Sequence, residues 1–292
     1  MTYSAKKIRV VIQSVPDDVF GMSLTTRSYD FKNLPIEVNI EQVQLPSGGS
    51  AVIKIYGVSK EKMDAITTIQ LKTLWIKNQS VAVFTDEGDG EHLIYCGTII
   101  KAVPCYDSAP DVYIRIDSCT GAYWNTMGEV PPYSHKGMIP VHLAVSEICA
   151  PYGAVCKNFG VMMNCNNPYF DQKGLKNRLN AVAQAYNLDV VMDDGEAQVV
   201  EIYPKGKYMA KTWTFTKENY IGYPSFNECG VRIVLDKLYY DLSLKDYFVI
   251  KGSEVSIANG LWAVQKYIYN ISTKLGGNWL MEIIGTAEVL DE

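Results

Sequence analysis

The stretch IEVNIEQVQLPSGGSAVIKIY, residues 36–56, alternates apolar and polar side chains on both sides of a turn-forming cluster, Leu45-Pro-Ser-Gly-Gly-Ser50. Alternation at period two is what a strand with one buried face requires, and a proline-glycine-serine break between two such runs makes a hairpin. The same pattern recurs upstream at 7–14 (KIRVVIQS) and downstream at 80–85, 92–103 and 111–118, the first two of these joined across Asp86-Glu-Gly-Asp-Gly90. Between them Ser59 precedes Met63, Ile66 and Ile69 at helical spacing, which predicts a short helix capped by Ser59. Six strands and one helix suit a small barrel or sandwich.

Near residue 130 the period changes. Val130-Pro-Pro-Tyr133 breaks the alternation, and the spacing of Ile139, Val141, Leu143, Val145 and Ile148 predicts a helix over 139–150 with Pro140 in its first turn. Leu175, Leu179, Val182 and Ala183 predict a second helix, capped by Asp171 and ended at Tyr186-Asn187. Strands at 188–192 and 198–203 flank Asp193-Asp194-Gly195, a hairpin signal. From Thr212 the alternation returns, at 213–215, 231–235, 247–251, 263–271 and 279–284, the last two joined by Lys274-Leu-Gly-Gly-Asn278. The expected architecture is α+β and mainly β: a tube-like β-barrel domain over 1–128, a small α/β insert over 129–208 and a second tube-like β-barrel domain over 209–292.

Composition narrows the function. The 292 residues carry 27 basic and 32 acidic side chains, a net charge of -5, and 48% are hydrophobic, so the chain is neither disordered nor built to grip nucleic acid. No apolar run reaches the roughly 20 residues of a spanning helix, and the start lacks a secretory core, so synthesis in the cytoplasm and no stable membrane insertion are expected. Seven cysteines without a Cys-x-x-Cys pair read as free thiols. His92, His135 and His142 lack zinc spacing, His92 and His142 are expected to be solvated, and Cys149 falls near a helix C-terminus, where the dipole disfavours a thiolate. The acidic turns at 86–89 and 193–195 lack a calcium-loop register. No phosphate-binding, nucleophile-elbow or zincin motif is present. No catalytic residue, metal or cofactor is therefore expected, and the chain reads as an interaction protein. Twenty tyrosines fit that reading, since tyrosine favours strands and interfaces.

The segment Pro35–Ala65 resembles the opening of phage tail baseplate hub proteins. Their phrase I-x-I-Y-N-L-S before a short helix is here Ile53-Lys-Ile-Tyr-Gly-Val-Ser59, with Gly57 and Val58 in place of Asn and Leu. Leu93-Ile-Tyr-Cys-Gly-Thr-Ile-Ile100 is similar to the family's I-F-x-G-x-I strand, and Gly174–Tyr186 followed by 188–195 is similar to its L-x-x-L-A-x-x-L-G helix and hairpin. The resemblance implies a myophage-type hub: a homotrimer whose two tube-like barrels per chain form a pseudo-sixfold ring, joining a sixfold tail tube to a threefold central spike. Its partners would be itself, the tube, the spike and other baseplate proteins, in the tail of a virion. DNA would pass through its lumen without specific binding. Tyr56, Tyr95, Tyr113, Tyr247, Tyr267 and Tyr269 are the expected interface residues. A distal tail or tube-initiator protein is the alternative, which the insert argues against, and a tail-associated cell-wall hydrolase or peptidase comes after it.

Overall fold

The computed structural model describes residues 6–14, 27–43, 48–67, 79–122, 130–193, 199–206, 211–227 and 230–287. The first β unit contains β1 (Lys7–Ser14), β2 (Arg27–Phe31), β3 (Ile36–Val43) and β4 (Ser50–Tyr56). It continues through helix α1 (Lys60–Ile66), β5 (Gln79–Asp86), β6 (His92–Cys105) and β7 (Tyr113–Cys119). β3 and β4 pair antiparallel as the alternation requires, with Ile36 opposite Ile55 and Ile40 opposite Ala51, all four buried. The centre of their turn, 44–47, lies outside the described residues. Ser59 occupies the cap position of α1 but makes no side-chain cap; its carbonyl accepts Met63 N–H at 3.0 Å. Met63 and Ile66 face the core as their spacing predicts, while Ile69 lies outside the described residues.

The insert brings β8 (Tyr133–Ser134), β9 (Met138–Pro140), α2 (Val141–Cys149), β10 (Val155–Asn158), β11 (Asn164–Asn166) and β12 (Tyr169–Phe170). It ends with α3 (Leu175–Tyr186), β13 (Leu188–Asp193) and β14 (Val199–Pro204). Several details differ from the sequence reading. Ile139 and Pro140 belong to a strand, because Ile139 pairs with Cys165 of β11, and α2 starts one residue after the proline. α3 starts at Leu175 behind Gly174, whose φ of 78° ends the preceding loop, so Asp171 is not its cap. β10, a strand the periodicity does not mark, pairs parallel with β14. The helix does end at Asn187, in the left-handed conformation that asparagine tolerates, with a φ of 50°. Ile139, Val145, Ile148, Leu175, Leu179 and Ile202 form a core separate from that of the β units.

The second β unit contains β15 (Thr212–Thr216), β16 (Ser225–Asn227), β17 (Gly230–Leu235), β18 (Tyr247–Lys251), β19 (Gly260–Ser272) and β20 (Trp279–Ala287). The two β units, which the pattern separates into two barrels, form one hydrogen-bonded 13-stranded sheet, running β16-β17-β20-β19-β3-β4-β7-β6-β5-β1-β2, with β18 and β15 branching from β19. The joint is antiparallel pairing of β19 with β3, from Lys266 opposite Val43 to Ser272 opposite Glu37. One core runs through both, from Ile8 and Ile114 to Phe248 and Ile283. The chain is α+β and mainly β. The expected boundaries at 128/129 and 208/209 fall among residues outside the described ones, 123–129 and 207–210.

Candidate interaction surface

Because β3, β4 and β19 bury one set of alternate side chains, the other set stands on an open face shared with β7, β17 and β20. Register places Ser272, Glu37, Lys54 and Arg115 in one row across the sheet, and Asn270, Asn39, Val52 and Asp117 in the next. Charge on this face is matched pair by pair. Lys54 Nζ reaches Glu37 at 3.0 Å, Lys266 reaches Glu41 at 2.6 Å, Arg115 reaches Asp117 at 2.8 Å and Arg232 reaches Glu282 at 2.9 Å. Each such surface pair stabilises by at most about 1 kcal/mol. Their larger effect is to leave a broad polar surface with little net field.

The seam is locked at the β19–β20 turn. Thr273 N–H donates to Ile36 carbonyl at 2.9 Å, its hydroxyl donates to Leu34 carbonyl at 3.0 Å, and that hydroxyl accepts Ile36 N–H at 2.9 Å. Lys274 donates to Asp111 at 3.0 Å and lies 4.5 Å over the Tyr56 ring. Beside it a groove of about 540 Å³ is lined by Glu37, Asn39, Lys54, Asn270, Ser272 and Asn278, among others. A second clamp joins the units around Glu87, whose carboxylate accepts Tyr240 O–H at 3.0 Å and Trp279 Nε1–H at 2.8 Å.

The six expected interface tyrosines divide. Tyr95 and Tyr269 are each 2% exposed and lie in the core. The Ser118 hydroxyl donates to the Tyr95 hydroxyl oxygen at 3.0 Å, and Tyr269 O–H reaches Tyr239 carbonyl. Tyr56, Tyr113, Tyr247 and Tyr267 are half-buried. Tyr56 and Tyr113, opposite each other on β4 and β7, hold their rings 5.1 Å apart. Tyr56 O–H donates to Glu37, and burial together with that bond pushes its pKa up to about 12. Tyr247 O–H reaches Gly206 carbonyl, and Tyr267 packs edge-on against Tyr269.

His92 and His142 are less solvated than expected. His92 stacks on Tyr240 with ring centroids 4.1 Å apart, and His142 is half-buried with Nδ1 shielded from solvent. Asp86 organises its own turn by accepting Gly88 N–H at 2.7 Å and Gly90 N–H at 3.3 Å, and the Gly88 bond is the chief reason its pKa is lowered. Asp193 ends β13, and the rest of the 193–195 turn lies outside the described residues. Among the described residues, no three His, Cys, Asp or Glu side chains are grouped to hold a metal ion, and no helix is long and apolar enough to cross a membrane.

Cys149 ends α2 with no exposed surface, and burial, then the neighbouring Cys156, raises its pKa far above the ordinary thiol value. Burial pushes Cys156 up to about 11. Thiol titration with a disulfide reagent at pH 8 should therefore leave both unmodified until denaturant is added, because the thiolate is the reactive form. Rapid labelling of Cys149 in the folded chain would contradict this.

Sequence reasoning misses two side chains that set the geometry. Buried Asp246 organises the loop before β18 by accepting Trp213 Nε1–H at 2.9 Å, Ser243 N–H at 3.0 Å and Lys211 N–H at 3.2 Å. Arg178, 2% exposed on α3, donates to the carbonyls of Gln172, Val130 and Pro131 at 2.7–2.8 Å and so pins the entry to the insert. Both are polar residues whose meaning depends on partners distant in sequence, and nothing in their local pattern marks them.

No protein-family model matches the sequence, and no curated protein sequence does. Solved structures do match. A tail protein from Neisseria meningitidis MC58 superposes over 96% of this chain and 97% of its own, with a TM-score of 0.62 and 10% identity. The 43 kDa tail protein of prophage MuSo2 from Shewanella oneidensis covers 95% of this chain and 96% of its own, with a TM-score of 0.61 and 10% identity. The E. coli c3393 protein covers 88% of this chain and 74% of its own, with a TM-score of 0.60 and 6% identity. It is described as a type VI secretion component structurally similar to the T4 tail proteins gp27 and gp5. The chain has the fold of these tail proteins over nearly its whole length.

Proposed function

We propose that the chain is a structural component of a phage tail, the baseplate hub, with no catalytic role. The observation that carries this reading is the near-complete superposition on tail proteins, insert included, from 95–96% of this chain onto 96–97% of two of them. The hub is a homotrimer in which each β unit serves as one tube-like barrel, over 1–128 and 209–292, with the insert over 129–208 projecting from the ring. Three copies of two similar units give six positions about one threefold axis, the geometry that joins a sixfold tube to a threefold spike. The net charge of -5 suits a conduit, since an acidic lumen repels phosphate and lets DNA slide without sticking. Tyr56, Tyr113, Tyr247 and Tyr267 are the tyrosines of the expected set with surface left to meet neighbouring subunits, tube or spike. Tyr95 and Tyr269 belong to the subunit core.

Imaging of the assembled tail tests the reading. Three copies per ring, each supplying two barrel positions, are expected at the junction between tube and spike. Six copies per ring would replace the hub by a distal tail or tube-initiator protein, and a location away from the tail would end the proposal altogether.

A further inference from the structure

The groove at the seam has a chemistry that the hub reading does not use. Asn270 of β19 stands directly opposite Asn39 of β3 on the open face, and Asn278 of the β19–β20 turn lines the same groove. Asn39 and Asn278 are exposed and Asn270 is half-buried. Among the described residues, none of the three side-chain amides makes a hydrogen bond within the protein. Directly opposed residues on antiparallel strands hold their Cβ atoms about 5 Å apart. Two carboxamides therefore project side by side into a space of about 540 Å³, within the roughly 300–1,000 Å³ of ligand sites.

The lining selects among ligand classes. A phosphate or other anion needs an available cation, and Lys54 of the lining is bound to Glu37 at 3.0 Å. A sugar favours an open aromatic face, but the adjacent Tyr56 and Tyr113 rings lean on each other, with Lys274 4.5 Å over the first and Lys54 5.7 Å over the second. What is left is an array of neutral groups, each offering both an N–H donor and a C=O acceptor. That is the complement of a peptide backbone, which presents the same two groups at every residue.

We propose that this groove binds an extended, uncharged peptide segment of a partner protein, with Asn39, Asn270 and Asn278 hydrogen-bonding its backbone. The turn that carries Asn278 is held in place by Thr273 and Lys274, so the site is formed before the ligand arrives and little ordering cost falls on binding. The proposal does not depend on threefold assembly.

The test pans a random twelve-residue peptide library against the intact chain and measures the enriched peptides by fluorescence anisotropy. Neutral peptides are expected to be enriched. Their affinity should fall at least tenfold for the Asn39→Ala/Asn270→Ala pair, and less for Asn278→Ala, while Met162→Ser on the insert surface leaves it unchanged. Circular dichroism and thermal melting of each variant establish that it is folded; these positions stand on the open face or in a surface turn, away from the core. No enrichment, equal binding by the asparagine variants, or enrichment of acidic peptides whose binding is lost only in Lys54→Gln would each overturn the proposal. Binding that survives in a chain shown to be monomeric in its tail would sink the hub reading and leave the groove standing.

Discussion

Lys245→Ala should release the insert from the second β unit while leaving both of their cores folded. Lys245 sits in the loop shaped by Asp246, and its ammonium donates to Glu201 at 2.7 Å and to the Tyr203 hydroxyl at 3.2 Å, both on β14. It also lies 5.6 Å from the Phe159 ring and 5.8 Å from the Tyr203 ring, which stack on each other at 4.8 Å. Both charged groups are well shielded, Lys245 with 28% and Glu201 with 17% of the side chain exposed. Removing the lysine strands a mostly buried carboxylate, and for a fully buried pair that costs about 3–5 kcal/mol. With the remaining exposure, about 2–3 kcal/mol is expected here. Limited proteolysis should cut more readily where the insert meets the β units, and hydrogen exchange should speed up in β14 but not in β3 or β20. Unchanged exchange in β14 would show that the latch carries no load.

The same contact makes a pH prediction. Burial opposes charge on Glu201, but the hydrogen bonds from Lys245 and Tyr203 outweigh it, and its pKa lies below the ordinary glutamate value. The unfolded chain then binds the Glu201 proton more readily than the folded one, so the stabilisation is complete above the ordinary value near 4.3 and is lost as pH falls through the lower folded value. Protection of β14 in the wild-type chain should drop in that acid range, and in Glu201→Gln the drop should be absent.

How far the sequence carried the fold depends on how local each signal was. Strands β3, β4, β7, β17 and β20 were legible because one buried face writes a period of two into the letters, and Asn187 was legible because few residues tolerate its backbone. The start of α2 was misread, since Ile139 fits a helical stripe and a strand equally well until Cys165 of β11 pairs with it. β10, β11 and β12 are too short or too exposed to write any period. The fusion of the two β units was invisible for a different reason. β19 and β3 lie more than two hundred residues apart, and the alternation of each says which face is buried but not which strand lies alongside. Among the expected interface tyrosines, Tyr95 and Tyr269 point into the core of the chain, a direction the same ambiguity hides. A tyrosine in an alternating strand can point either way, and a hydroxyl partner such as Ser118 allows it to point inward.

That fusion turns a single glycine into a test of the whole β structure. Gly285 is buried in β20, paired on one side with Val231 of β17 and on the other with Val264 of β19. A Cβ there would overlap Phe248 Cε1, lie 2.6 Å from Phe248 Cζ and meet Trp262 Cβ at 3.0 Å. Phe248 has no room to yield, being fully buried against Phe215 with ring centroids 5.9 Å apart. Gly285→Val should therefore cost about 3 kcal/mol or more, at the upper end of core overpacking. In a chain of this size that lowers the melting temperature by roughly 5–10 °C. Two independent barrels would confine the damage to the second unit, leaving exchange of Ile53 and Ile114 unchanged while that of Ile233 accelerates. One ladder and one core predict instead that β4, β7 and β17 lose protection by the same factor, because β19 cannot leave β20 without also exposing its seam with β3. Hydrogen exchange read at those three residues separates the outcomes, and unequal factors would mean that the seam, although hydrogen-bonded, does not bind the two units into one cooperative structure.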